Sequence, residues 1–204
     1  MMKQLDNIQL DALKEVSNIG SGHAATALSE LTGQKVTINI PVISIDPLSA
    51  VFKKCADSGQ KILGIRIDLS GDIVGRTLLF FSQDDALKFC DCLMRRPVGT
   101  VKTLSELDRS GLREVSNILT CAYMNALGEM LNFMVVPTTP SLIIGPPEEM
   151  MAGFAEQAGG ADELAVIIEN DFRFQGNDTI LQGYFLLLPD DSSLQAMFKA
   201  MNIK

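Results

Sequence analysis

A glutamate and an asparagine that stand three residues apart occur twice in the chain, each time in nearly the same context. Glu15 and Asn18 lie in the stretch Leu-Lys-Glu-Val-Ser-Asn-Ile, and Glu114 and Asn117 lie in Leu-Arg-Glu-Val-Ser-Asn-Ile, 99 residues later. A carboxylate can pair with a cation, and a carboxamide can donate one hydrogen bond while it accepts another. A repeated core needs only a repeated apolar pattern, so the repeated polar pair indicates a chemical role.

Helical geometry places each polar pair on one narrow stripe of helix surface. At about 100° per residue, Asp11, Glu15 and Asn18 fall within a sector about 60° wide. The second copy forms the same stripe from Ser110, Glu114 and Asn117. Apolar residues occupy the adjacent sector, so each helix can bury one face while its stripe stays accessible. A solvated helix face is the alternative interpretation, but duplication disfavours it because surface positions need not keep the same polar types.

The bulk composition is that of an acidic globular protein. The 204 residues are 47% hydrophobic and 21% charged, with a formal net charge of −8. This charge repels phosphate backbones, and the sequence has no basic cluster, so we expect no binding to nucleic acid. No apolar run approaches the roughly 18 residues that a transmembrane helix requires, and the start lacks signal-peptide regions. We therefore expect a cytoplasmic protein without a membrane partner.

The few metal-binding residue types argue against a zinc site and against a histidine-dependent hydrolase. Cys90 and Cys92 are separated by one residue rather than the two or more typical of zinc sites, and His23 is the single histidine. We expect the four cysteines to be reduced and mostly buried. His23 lies outside the stripe, which favours a packed or capping histidine over a catalytic one.

The apolar patterns predict the same order of elements twice: a long helix, an extended segment, a hairpin and a closing helix. In the first half these elements cover 5–32, 35–45, 62–81 and 83–94. In the second half they cover 105–131, 135–144, 164–188 and 192–201. Gly20 and Gly22 predict a break or kink in the first helix. Segment 150–160 has no assignment, and its residues Met150, Met151 and Phe154 suit either a core or a partner surface.

These elements predict one domain over 1–204 that contains an internal repeat, 5–97 and 104–204. The fold class is α+β. We expect two pseudo-twofold-related helix-strand-hairpin-helix halves that share a mixed β-sheet flanked by helices.

The spacing around the two stripes resembles the signature of the CheC/CheX/FliY family of chemotaxis phosphatases, in its CheC-type form with two copies. The first copy runs from Asp11 to Glu15, Asn18 and, after twenty-two further residues, Pro41. The second copy has the same spacing in Ser110, Glu114, Asn117 and Pro140. The glycines at 20 and 22 also resemble the family's turn after the first copy, whereas the second copy lacks them.

The resemblance implies hydrolysis of the aspartyl phosphate of a phosphorylated CheY-type response regulator. Asn18 and Asn117 would hold the attacking water, and Glu15 and Glu114 would pair with the active-site lysine of the regulator. A glutamate acting as general base is the less favoured alternative. The chain would need no cofactor of its own, because the response regulator would supply Mg²⁺.

The other motif positions have supporting roles under the same resemblance. Pro41 and Pro140 are expected to fix the end of each strand against its helix. Asp11 and Ser110 either contact the partner or support the stripe. Because these two residues differ in charge, we expect unequal activity at the two sites, although the sequence does not rank them.

The resemblance also names the receptor deamidase CheD as a partner. One alternative function is therefore a CheD-binding regulatory module with weak catalysis. Another is a structural component of the flagellar switch, which the absence of an added switch domain disfavours. The sequence does not predict the CheD-binding surface, because Gly145-Pro146-Pro147 interrupts the segment after Pro140.

Overall fold

The computed structural model describes residues 7–40, 42–55, 61–158 and 164–200. The first half comprises α1 (Asn7–Thr32), β1 (Val36–Asn39), β2 (Ile43–Pro47), α2 (Leu48–Cys55), β3 (Ile62–Gly71), β4 (Gly75–Ser82) and α3 (Gln83–Leu93). The second half comprises α4 (Glu106–Leu131), β5 (Val135–Pro137), β6 (Ser141–Gly145), α5 (Pro147–Ala158), β7 (Leu164–Phe174), β8 (Leu181–Pro189) and α6 (Asp191–Ala200). Both halves therefore follow one element order, as the repeat predicts.

Eight strands from the two halves form one sheet. Its order is β1, β7, β8, β4, β3, β5, with β2 also paired to β7 and β6 also paired to β3. Every strand pair in the described part of the chain is antiparallel. The prediction of a mixed sheet is therefore wrong. Within each hairpin a short connection reverses the chain, so its two strands are antiparallel. The two hairpins pair with each other through β4 and β8, which are also antiparallel.

Each half adds its short strands to the hairpin of the other half. The strands β1 and β2 pair with β7, and β5 and β6 pair with β3. If each strand is replaced by its equivalent in the other half, the same strand order results, read from the opposite edge of the sheet. The connectivity is therefore that of an internal repeat. The pseudo-twofold relation between the halves stays a prediction.

Helices cover both faces of the sheet. A large apolar cluster joins one face to α1, α3 and α4 and includes Met197 of α6. A smaller cluster on the opposite face contains Leu48 and Val51 of α2 and Met150 and Phe154 of α5. The predicted α+β class with flanking helices is confirmed. None of the described helices is long and apolar enough to cross a membrane.

The first helix is continuous through Gly20 and Gly22, so the predicted break is wrong. Gly20 is buried against α4, where an added Cβ would lie 2.4 Å from Cδ1 of Tyr123 and 3.0 Å from its Cα. Glycine at this position permits close contact between the two long helices, and the resulting burial outweighs its low helix propensity. Gly33, at φ +60, follows the last residue of the helix, where glycine adopts the left-handed conformation without strain.

Two short helices have no counterpart in the predicted elements. The residues of α2 fall between predicted elements, and α5 covers most of the segment 150–160 that has no assignment. Pro147 begins α5 and acidic residues follow it in the first turn, which is a favourable helix start rather than a break. Met150 and Phe154 are buried at 4% and 2% exposure, so they belong to the core rather than to a partner surface.

Both extended segments that follow the long helices are divided into two strands. The predicted strand 35–45 forms β1 and β2, and the predicted segment 135–144 forms β5 and β6. Both pairs lie at the edges of the sheet, which agrees with the presence of proline in these segments. Pro41 lies outside the described residues, so its supporting role stays a prediction.

Candidate functional site

The first stripe lies on the exposed surface of α1. The side chains of Asp11, Glu15 and Asn18 are all exposed. Asp11 forms an ion pair with Lys14, with 3.2 Å between Oδ1 and Nζ. In the part of the chain that the structure describes, Glu15 and Asn18 make no side-chain hydrogen bond or ion pair. Both groups can therefore contact another molecule without giving up a bond within the chain.

The second stripe has the same layout on α4 but a different environment. Ser110 and Glu114 are exposed, whereas Asn117 is half-buried. The thiol of Cys121 donates to Oδ1 of Asn117, with 3.8 Å between sulfur and oxygen. Burial, and then the charge of Glu114, raises the pKa of the Cys121 thiol. The thiol therefore stays protonated and able to donate at neutral pH.

The six residue types that the two copies share divide into packing positions and accessible positions. The leucine, valine and serine of each copy are buried: Leu13, Val16, Ser17, Leu112, Val115 and Ser116. The glutamates are exposed in both copies. The repeated serine is therefore a small packing residue, and the Glu-Asn pair is the polar part of the repeat that another molecule can reach.

A network of hydrogen bonds fixes the start of α4. Ser105 and Asp108 form a capping box, in which each side chain accepts from the backbone N–H of the other residue. Asp108 is 1% exposed and also pairs with Arg96. Burial alone would raise the pKa of Asp108, but hydrogen bonds from Ser105 and Arg96 outweigh burial and lower it. The turn before the second stripe is thus held by a buried carboxylate.

Two buried hydrogen bonds tie the middle of α4 to the sheet. The hydroxyl of Tyr123 donates to Oδ1 of Asn170 on β7. The hydroxyl oxygens of Thr120 and Thr77 are 3.2 Å apart, which joins α4 to β4. Burial raises the pKa of Tyr123, so its phenol remains a donor. These contacts position the helix that carries Asn117.

The first helix is held mainly by α4 and by a cap at its C-terminus. Gly20 packs against Tyr123, as described above. Arg95 donates from Nε to the carbonyl of Thr32 at 2.8 Å and also bonds the carbonyl of Gly33. A cation at a helix C-terminus satisfies free carbonyls and complements the helix dipole.

The two stripes face away from the contact between the long helices. Gly20 lies about 180° around α1 from Asp11, and Tyr123 lies about 140° around α4 from Ser110. The helix surfaces that touch are therefore roughly opposite the stripes. Glu15 with Asn18, and Glu114 with Asn117, therefore lie on two separate parts of the surface rather than around one shared centre.

The other residues that the sequence singled out lie away from the two Glu-Asn pairs. Pro140 is half-buried directly before β6, where proline can end the preceding loop. His23 is exposed on α1, so it is neither packed nor capping as the sequence suggested. Cys90 and Cys92 are buried free thiols, as predicted.

The four Glu and Asn residues of the stripes lie away from the best-defined cavity near α1. A cavity of about 570 Å³ opens near the C-terminus of α1 and is lined by Gly33, Cys92 and Arg95 among others, with none of the four stripe Glu and Asn residues. Within the described ranges, no three His, Cys, Asp or Glu side chains come together as a metal site.

Sequence reasoning missed the part that position 121 takes in the second stripe. Cys121 follows Asn117 by four residues, so it lies on the same side of the helix. The equivalent position in the first copy, 99 residues earlier, is Gly22. Extending the aligned repeat by one helical turn beyond the asparagines would have revealed this difference.

Comparisons with known proteins agree with the resemblance. A family model described as the CheC-like family matches residues 8–45, which contain the first stripe. The CheY-P phosphatase CheC of Bacillus subtilis (strain 168) is 25% identical over 198 residues, with 95% of this chain and 93% of that protein covered. The resemblance to CheC-type chemotaxis proteins is thereby confirmed.

Two solved structures share the fold. FliY of Thermotoga maritima has a TM-score of 0.79 at 20% identity, with 97% of this chain and 98% of that chain covered. A chain of the CheX-CheY-BeF3-Mg+2 complex from Borrelia burgdorferi has a TM-score of 0.51 at 13% identity, with 92% and 100% covered. At these identities the likeness concerns the fold.

Proposed function

We propose that the chain hydrolyses the aspartyl phosphate of a phosphorylated CheY-type response regulator at two sites, one on α1 and one on α4. The observation that carries this proposal is the placement of both Glu-Asn pairs on the outer surface of a long helix, with Glu15, Asn18 and Glu114 exposed and Asn117 half-buried. A small substrate is normally bound in a concave pocket, whereas a stripe on a helix surface suits a site that a second protein completes. The relative named CheY-P phosphatase CheC supports the choice of partner.

Each asparagine acts by holding a water molecule. The carboxamide oxygen accepts a hydrogen bond from the water, and its NH₂ group donates to a phosphoryl oxygen. The water oxygen bonds to phosphorus while the bond between phosphorus and the aspartyl oxygen breaks. A free aspartate and inorganic phosphate result, and the phosphate retains the protons of the water. Asn18 and Asn117 therefore contribute position rather than proton transfer.

Each glutamate orients the partner. Glu15 and Glu114 pair with the lysine of the response-regulator active site, which brings the neighbouring asparagine toward the phosphoryl group. Both carboxylates are exposed, so forming this ion pair breaks no internal contact of the chain. Mg²⁺ held by the response regulator neutralises the phosphoryl oxygens, as metal ions do in phosphoryl transfer generally.

The test is a phosphatase assay on phosphorylated CheY with the double variant Asn18→Ala, Asn117→Ala. We expect the double variant to lose all acceleration over the spontaneous loss of phosphate, with its denaturation midpoint unchanged. Asn125→Ala is the matched control, because Asn125 is an exposed asparagine on α4 about two turns beyond Asn117. Wild-type activity in the double variant would overturn the water-holding mechanism.

The same assay tests the alternative of a CheD-binding module. If the wild-type chain is inactive alone but forms a stable complex with CheD, the regulatory function replaces the phosphatase function. Activity of the wild-type chain without CheD, lost in the double variant, supports the phosphatase.

A further inference from the structure

Gly22 occupies a position on the first stripe where the fold of the chain does not require glycine. It lies in the interior of the continuous helix α1 and is exposed. Apart from the adjoining backbone of α1 itself, no atom lies within 4 Å of a Cβ built at this position. Because glycine destabilises a helix interior relative to alanine, Gly22 lowers the stability of α1. Gly20 differs, because Tyr123 fills the space that its side chain would need.

The equivalent position of the second stripe carries a side chain. Cys121 and Gly22 each follow the asparagine of their copy by four residues. Both positions lie about 20° around the helix from the first residue of the stripe, within the sector that the stripe defines. A partner that reaches both Glu and Asn of a stripe therefore passes over bare backbone on α1 and over a thiol on α4.

The thiol is in contact with the group that the proposed mechanism uses. The sulfur of Cys121 lies 3.8 Å from Oδ1 of Asn117 and donates to it. Asn18 has no such partner in the described part of the chain. Asn117 is half-buried, whereas Asn18 is exposed. The carboxamide oxygen that should accept from water is therefore without an internal donor in the first site and already accepts one hydrogen bond in the second.

We propose that the residue one turn beyond each asparagine sets the rate of its site, and that Cys121 makes the α4 site the slower one. Gly22 lets a phosphorylated receiver domain approach Asn18 closely. Cys121 keeps the receiver domain further from Asn117 and competes with the attacking water for Oδ1. This inference rests on the proposed function and ranks the two sites, which the sequence alone does not.

The expected size of the effect follows from the chemistry of the thiol. A thiol is a weak hydrogen-bond donor, so water can displace it at moderate cost. The α4 site should therefore be slowed rather than abolished. A hydroxyl at the same position is a stronger donor and should hold Oδ1 more firmly than the thiol.

The experiment isolates each site with an alanine in place of the other asparagine. In the Asn18→Ala background, Cys121→Ala should raise kcat/KM toward phosphorylated CheY by about threefold to tenfold, because it frees Oδ1 and removes the sulfur. In the same background, Cys121→Ser should lower kcat/KM below that of the cysteine. In the Asn117→Ala background, Gly22→Cys should lower kcat/KM by a similar factor, and Gly22→Ala should have a smaller effect.

The opposite shifts of alanine and serine separate this role from a structural one. A change in packing would move the urea midpoint of both variants, whereas competition for Oδ1 moves kcat/KM in opposite directions at equal stability. Unchanged or lower activity of Cys121→Ala overturns the inference. If the two-asparagine variant keeps wild-type activity, the proposed function fails instead, so the two failures are distinguishable.

Discussion

The stripe on α1 and the stripe on α4 present the same Glu-Asn pair in different surroundings. On α1 the asparagine is exposed and is followed, one turn later, by a bare glycine backbone. On α4 the asparagine is half-buried and accepts from Cys121. The first position also differs, since Asp11 carries a negative charge and Ser110 does not.

The two helices also differ in how they are held. Ser105 and Asp108 cap α4, and Tyr123 ties its middle to β7. The contact of Gly20 with Tyr123 makes the position of α1 depend on α4. Two helices that carry the same motif can therefore differ in how firmly the fold holds them and in how easily a partner reaches the motif.

The largest loss of stability is expected from a substitution at the contact between α1 and α4. Gly20→Ala would place Cβ 2.4 Å from Cδ1 of Tyr123, a ring that is 1% exposed and hydrogen-bonded to Asn170. Because the ring cannot move freely, we expect the free energy of unfolding to fall by about 3 kcal/mol, near the upper end for overpacking. Urea denaturation with an unchanged m-value measures the loss.

Gly22→Ala is the matched control for this prediction. Apart from the adjoining backbone of α1 itself, no atom lies within 4 Å of the added Cβ, so only helix propensity changes. We expect the free energy of unfolding to rise by up to about 1 kcal/mol. Equal effects of the two alanines would show that the helix contact at Gly20 is not the close one described.

The next effect concerns the start of α4. Asp108→Asn removes the charge that Arg96 and the capping box share. We expect the free energy of unfolding at pH 7 to fall by about 2 kcal/mol. Hydrogen exchange should become faster in the first turn of α4, while α1 keeps its protection.

The loss should depend on pH, because the pKa of Asp108 is lowered in the folded protein. A lowered carboxyl pKa stabilises the fold above its unfolded value, near the ordinary 3.8, and this contribution disappears as pH falls through the folded pKa. The difference between wild type and Asp108→Asn should therefore shrink below about pH 4. A difference that stays constant down to pH 2 would contradict the assigned role of the charge.

The sequence predicted the elements whose signals are local. Both hairpins and both closing helices follow from the apolar patterns. Prediction from the sequence failed where contacts between distant parts of the chain determine the local structure. Gly20 reads as a helix breaker until Tyr123 is placed against it. Pro147 reads as a break unless it is recognised as the first residue of α5.

Which residues share a stripe could be predicted from the sequence, whereas the differences between the two stripes could not. The period of an α-helix was enough to place Glu15 with Asn18, and Glu114 with Asn117, on one stripe of each long helix. The burial of Asn117 and its contact with Cys121 depend on side-chain packing around α4, which no single-sequence pattern reports. The antiparallel exchange of short strands between the halves likewise depends on contacts far apart in sequence.

Replacing each asparagine alone ranks the two proposed sites directly. Asn18→Ala should lower phosphatase activity toward phosphorylated CheY by about tenfold, while Asn117→Ala should lower it by less than about twofold, which correspond to roughly 1.4 and 0.4 kcal/mol. The physical reason is that Oδ1 of Asn18 is free and that of Asn117 is occupied. Initial rates at a subsaturating substrate concentration measure both. A larger loss in Asn117→Ala would reverse the proposed ranking.

The smallest effect is expected from the glutamates and depends on the charge beside them. Glu114 is the single acidic residue of its stripe, whereas Asp11 adds a second carboxylate beside Glu15. If each glutamate pairs with a lysine of the partner, Glu114→Gln should raise the KM of the α4 site about threefold, and Glu15→Gln should raise that of the α1 site less than about twofold. Each variant is measured with the other asparagine replaced by alanine. Because exposed ion pairs are screened by salt, both increases should vanish near 1 M NaCl, where the Debye length is about 3 Å. An effect on kcat that survives high salt would instead indicate that the glutamate acts on the water, as a general base would.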